Sequence, residues 1–270
     1  MAHGSSDPRA GSAIADLIAL ACARAELSGQ PGLDARAAFL GHAAPALPQV
    51  LAAVHGAGRR RVVVLPLLLT AAYHSGTDIP GALREARAAF PRLSIAYGEP
   101  LGPDPGLLHA LDRRLAEADA AADGGAAGDG RAGSTAVVLA AAGSSRPSAN
   151  AAVAQMAADW KAARGWRAVL PAYASAASPT PEQAVAALLR DGAQRVVVAS
   201  YLLAPGLFAD RIRDASLAAG AAAVSRPLGA APEVADLLLQ RYTEACTTGA
   251  SSAGPPRLAL STRASARPAS

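Results

Sequence analysis

Apolar and polar positions along the 270-residue chain follow two alternating periods. In SAIADLIALACARAEL the apolar residues recur every three to four positions, which predicts a helix with one buried face. The Gly and Pro of SGQPG end it. RRVVVLPLLLT is apolar almost throughout, as expected of a strand covered on both faces. Between these, LDARAAFLG predicts a strand and APALPQVLAAVHGAG a helix with a Gly stop. Next, DIPGALREARAAF predicts a helix with Asp78 at its N-cap. A strand in LSIAYGEPLG and a helix in PGLLHALDRRLAEADAAA follow. Strands that alternate with helices and are apolar on both faces predict an α/β fold with a parallel sheet flanked by helices.

A Gly-rich stretch, DGGAAGDGRAGS, interrupts the pattern, and then the pattern restarts. AHGSSDPRAGSAIADLIA lines up with AAGSSRPSANAAVAQMAA at an offset of 139 residues. RRRVVVLPLLL lines up with AQRVVVASYLL at an offset of 134. The chain is therefore an internal duplication. The division expected is a first unit over 1–120, a linker over 121–134, a second unit over 135–246, and a disordered Ser/Ala/Pro/Arg-rich tail over 247–270. An active-site cleft is expected between the two similar units. In the second copy GSS follows the strand TAVVLAA, whereas the first copy has only Met1 and Ala2 in that place. The expectation is a native start upstream of Met1, with an apolar run leading into AHGSS.

Composition narrows the chemistry. The formal charge is +4, and three of those charges belong to Arg257, Arg263 and Arg267 of the tail, which has no acid after Glu244. The body is near neutral, so no nucleic-acid partner is expected. The run Arg59-Arg60-Arg61 reads as a solvated turn. Cys22 and Cys246 each stand alone in a helical pattern, without CxxC spacing, which fits a reduced cytoplasmic setting. Secretory-signal features are lacking. No apolar run reaches the roughly 18 residues of a membrane span, so no membrane partner is expected.

Comparing the copies isolates candidate chemistry. His3 faces Ala142, and His74 faces Phe208. Both histidines follow the carboxyl end of a predicted strand, where open α/β sheets bind ligands. Two convergent imidazoles can hold a divalent first-row metal or take up protons near neutral pH. His42 also follows a strand end and can join them. His55, in the last turn of a helix, fits a structural role at the negative end of the dipole. His109 falls mid-helix on a solvated face. The Gly4-Ser5-Ser6 turn suits either helix capping or the binding of a carboxylate by its backbone N–H groups. Its counterpart Gly143-Ser144-Ser145 is kept in the second copy.

AHGSSDPRA resembles the opening motif of the sirohydrochlorin chelatase family, and VVVLPLLLTAAYHSGTDIP resembles its second motif. AFLGHAAPALPQVL is similar to the block between them, and the likeness covers about residues 1–245. The resemblance implies insertion of Fe²⁺ or Co²⁺, without ATP, into sirohydrochlorin or a related uroporphyrinoid, in siroheme or cobalamin biosynthesis. It implies His3 and His74 as the catalytic, metal-binding pair, His42 as a further ligand, and Gly4, Ser5 and Ser6 as substrate contacts. The divalent metal would be a substrate, no cofactor would be permanently bound, and the protein would be a monomer or weak homodimer. Where the family often carries an acidic residue after Phe-Leu, this chain has Gly41. A non-catalytic tetrapyrrole or metal carrier derived from a chelatase is the alternative.

Overall fold

A computed structural model describes residues 1–70, 78–122 and 132–250. Both copies wind as parallel α/β units. In the first, α1 spans Pro8–Leu27 and α2 Leu47–Gly56, followed by β1 Arg61–Val64, α3 Asp78–Ala89, β2 Ser94–Tyr97 and α4 Gly106–Ala122. In the second, β3 spans Thr135–Ala141, α5 Pro147–Arg164, β4 Ala168–Tyr173 and α6 Pro181–Arg190. It continues with β5 Arg195–Tyr201, α7 Leu207–Ala218, β6 Ala223–Val224 and α8 Pro232–Ala250. Helix α8 runs to Ala250, past residue 247, where the sequence pattern placed the start of the tail. Among the described residues no helix is long and apolar enough to cross a membrane.

The second sheet has the order β4-β3-β5-β6, all parallel. Its strand β3 is buried along its whole length, as its unbroken apolar run requires. The strand order reverses direction at β3, so the peptide leaving its carboxyl end sits at the switch point.

The first sheet follows the same winding with less ladder. Strands β1 and β2 pair in parallel. Residues 1–3 lie where the central strand belongs. The Ala2 N–H donates to the Ala38 carbonyl at 2.9 Å, and the N–H groups of Leu40 and Gly41 donate to the carbonyls of Ala2 and His3. On the other side the Leu67 N–H donates to the Met1 carbonyl at 2.7 Å. Two sequence expectations are corrected here. LDARAAFLG is not a strand but carries isolated bridges at Phe39, to Ala2 on one side and to Ala46 on the other. RRVVVLPLLLT gives only the four residues of β1. It stops short of Pro66, which lacks an N–H for the ladder; the equivalent Ser200 lets β5 continue to Tyr201.

The two copies exchange their last helices. Helix α4 of the first copy packs on β5 and β6 of the second. Helix α8 of the second packs on α1, β1 and β2 of the first. Directional bonds reinforce the exchange. Trp160 Nε1 donates to Asp112 of α4 at 2.8 Å, and Arg195 donates to Asp119 of α4 at 2.9 Å. Arg241 of α8 reaches Asp104 at 2.6 Å. One apolar core runs through both copies, from Ala2, Leu17 and Leu107 to Leu139, Trp160 and Leu228.

Tyr201, buried at the end of β5, donates its hydroxyl to the Leu69 carbonyl across the copies at 2.8 Å. Burial pushes its phenol pKa upward, so it stays a donor at any ordinary pH. Tyr201→Phe should lower stability by about 1–2 kcal/mol, because the Leu69 carbonyl loses its partner. Urea denaturation with an unchanged m-value would measure this.

Candidate active site

His3 leaves the central position of the first sheet at its carboxyl end, and Gly4 turns the chain at once. Gly4 has φ +94°, and a Cβ there would sit 1.7 Å from the Gly41 carbonyl oxygen. Only glycine allows this close approach, which sets the His3 turn against the loop of Gly41 and His42. The second copy repeats the device: Gly143 has φ +84°, and a Cβ there would fall 1.9 Å from the Ser175 oxygen. Ser5 Oγ accepts from the Asp7 N–H at 3.1 Å, as Ser144 Oγ does from the Arg146 N–H. In both copies the first serine therefore holds the turn into the helix. Ser6 is exposed beside it.

His42 adopts φ 58°, as its counterpart Ala176 does. The conformation brings its imidazole beside that of His3, with ring centroids 6.0 Å apart and planes inclined by 18°. Both side chains are exposed. His3 Nδ1 lies 3.2 Å from the Gly4 carbonyl. A cation bonded at about 2.1 Å to one nitrogen of each ring fits such a pair after a small reorientation. Among the described residues no group of three His, Cys, Asp or Glu side chains is placed to hold a metal ion. His74 lies outside the described residues.

The second copy meets the start of α1 through an ion pair. Arg9 donates to Asp7 and to Asp210 of α7, each at 2.6 Å. The Arg9 guanidinium holds both carboxyls below the usual carboxylate range. A cleft of about 600 Å³ lies between Ser5, Ser6, Asp7 and Arg9 on one side and Leu207 and Asp210 on the other. Leu207 is 80% and Phe208 41% exposed, large apolar surfaces presented at the first turn of α7. Such exposed apolar surface suits a flat apolar ring system that carries polar groups at its rim.

The structure thus brings together His3, His42, Gly4, Ser5 and Ser6. His55 stacks at a tilt on Phe90, 5.9 Å away, and His109 accepts from Arg164 at the surface. Arg9 and Asp210 were missed by sequence reasoning. The signal was available for Arg9: it stands opposite Ser148, and so differs between copies just as His3 does.

Comparison with known proteins follows the same outline. The family model described as CbiX matches residues 1–118 and 136–245. A sirohydrochlorin ferrochelatase and a sirohydrochlorin cobaltochelatase of Priestia megaterium are each 28% identical to the chain over 176 residues. That stretch is 65% of this chain and 63% and 56% of the two relatives, so the match spans under two thirds of their length. Among solved structures, SirB from Bacillus subtilis with Fe³⁺ superposes with a TM-score of 0.72 at 23% identity, covering 92% of this chain and 95% of that one. A second is CbiX, described as the terminal enzyme for biosynthesis of siroheme in denitrifying bacteria. It gives 0.63 at 26% identity, covering 90% and 96%.

Proposed function

The chain belongs to the CbiX family of sirohydrochlorin chelatases, and from that premise we propose that it inserts Fe²⁺ or Co²⁺ into sirohydrochlorin in the cleft between its two copies, without ATP. The observation that carries this reading is the pairing of His3 and His42 at the switch point, with Ala142 and Ala176 in the equivalent places of the second copy. Imidazoles occur where one copy must do chemistry, and small apolar residues where the other only forms a wall.

The reaction exchanges two pyrrole N–H protons for one divalent cation. Deprotonated macrocycle nitrogens then replace the ligands that held the metal. Imidazole nitrogens serve both halves of this exchange. One lone pair holds a partly dehydrated cation, and after release the same lone pair accepts a proton. The metal is a substrate here and leaves with the product. Leu207 and Phe208 offer apolar surface to the macrocycle. The backbone of the Ser5-Ser6 turn, at the start of α1, faces a rim carboxylate.

The test is anaerobic incubation of the protein with excess sirohydrochlorin and either Co²⁺ or Fe²⁺, followed by absorbance. A chelatase yields many equivalents of metallated product per protein chain, at a rate proportional to protein concentration. A carrier, the reading that Gly41 would favour, shifts the spectrum of one equivalent and then stops.

A further inference from the structure

The start of α1 and the start of α7 face each other across the cleft of about 600 Å³, and Arg9 lies there between two carboxylates. Its Nε and Nη2 donate to Asp7 at 3.1 and 2.6 Å. Its Nη1 and Nη2 donate to Asp210 of α7 at 3.2 and 2.6 Å. A guanidinium is a planar fork, so it bridges two carboxylates in fixed directions. Gly206, which precedes α7, brings its backbone close to the same cluster: a Cβ there would lie 3.9 Å from Asp7 Oδ2.

Helix α7 packs on α6, β5 and β6, all of its own copy. The ion pairs Arg24–Asp236, Arg113–Glu233 and Arg195–Asp119 also join the copies, but each includes a residue of α4 or α8, the exchanged helices. Arg9–Asp210 instead joins two elements that line the cleft. It is also particular to one side of the duplication. Asp7, Arg9 and Asp210 stand opposite Arg146, Ser148 and Gly76, so the fold shared by both copies does not require the cluster. Stability does not require it either. The side chains of Arg9 and Asp210 are 52% and 32% exposed, and ion pairs in such positions add little.

What the cluster holds is a geometry. Asp7 is the N-cap of α1, and its N–H donates to Ser5 Oγ, so its carboxylate is tied to the turn that follows His3. Asp210 sits in the first turn of α7, beside the exposed Leu207 that lines the cleft. Resting on the reading that this cleft takes sirohydrochlorin, we propose that Arg9 is a positioning residue: it fixes the distance between the Ser5-Ser6 turn and Leu207, so that the macrocycle enters a gap already at its bound width. Nε and both Nη atoms of Arg9 are turned to Asp7 and Asp210, so it acts through these carboxylates and not on those of the substrate. A gap set in advance spares the cost of ordering two walls when the ligand arrives.

The test compares Arg9→Gln, Asp210→Asn and the double variant, each in the full chain. Absorbance titration with metal-free sirohydrochlorin gives Kd, and steady-state metallation with Co²⁺ gives kcat and KM. Each single variant should raise Kd by about 10-fold. The double variant should be no worse than either, because the two side chains act as one unit. KM for sirohydrochlorin should rise in step, with kcat and KM for Co²⁺ within about 2-fold of wild type. Tm should move by less than about 2 °C. Arg9→Asp should weaken binding further. Adding Asp210→Arg to it should restore Kd to within about 3-fold of wild type, because a guanidinium then reaches from α7 to two carboxylates at the start of α1. A Kd that rises in Arg9→Gln but falls or holds in Asp210→Asn overturns the proposal, since Arg9 would then touch the substrate itself. An unchanged Kd in both single variants overturns it, as does a rise that tracks a fall in Tm. A wild-type chain that binds no sirohydrochlorin is a separate outcome, which overturns the proposed activity and this inference with it.

Discussion

His3→Ala should lower the rate of sirohydrochlorin metallation by about 100-fold or more, the usual range for removing a group that takes up a proton in the reaction. His3 stands at the switch point of the first sheet, its ring stacked beside that of His42. The same loss is expected for His74→Ala. His55→Ala and His109→Ala should leave the rate near normal, because these rings lie against Phe90 and Arg164 outside the cleft. Steady-state rates at saturating Co²⁺ or Fe²⁺ measure the effect. Wild-type turnover by the His3 variant would remove the site from this loop altogether.

Gly143→Ala should lower the stability of the whole protein by about 3 kcal/mol or more, from a positive φ combined with a direct clash. Its Cβ would lie 1.9 Å from the Ser175 oxygen and 3.0 Å from Tyr173 Cβ, at the carboxyl end of β4 and just beyond it. Gly29 provides the control. It has φ +78° with nothing within 4 Å, so Gly29→Ala should cost only about 1–2 kcal/mol, the backbone term alone. Thermal or urea melts of the two variants would separate the terms. Equal losses would mean that the turn relaxes away from Ser175, and that the close approach is not what selects glycine there.

The duplication was the most legible feature of the chain. It rests on local patterns, and β3, β5 and most helices lie where those patterns put them. Comparing the copies also isolated His3, because a histidine opposite an alanine cannot be a requirement of the shared fold. What stayed hidden is non-local. LDARAAFLG has the composition of a strand, but a strand needs a partner along its length, and among the described residues it makes only isolated bridges at Phe39, to Ala2 and to Ala46. The early end of β1 was visible in Pro66, yet an apolar run masked it. Arg9 differs between copies in the same way as His3. Its partner Asp210 is 201 residues away, and no periodicity reports such a pairing. The exchange of α4 and α8 is invisible for the same reason: either helix presents an apolar face that would suit either sheet.

That exchange has a consequence for how the protein is made. On the ribosome the first copy emerges whole, but α8, one layer over β1 and β2, is the last described element to be synthesised. Until then Ile18, Leu65 and the neighbouring apolar surface lack the cover of Leu239 and Tyr242. The first half cannot finish folding as a nascent domain; it waits, partly open, for the far end of its own chain. An arrangement in which two like units trade a terminal helix is also what a domain-swapped pair of separate chains would adopt. Tandem fusion of such a pair would turn an encounter that depends on concentration into an intramolecular closure. It would also free each half to specialise, one keeping the histidines and the other the wall.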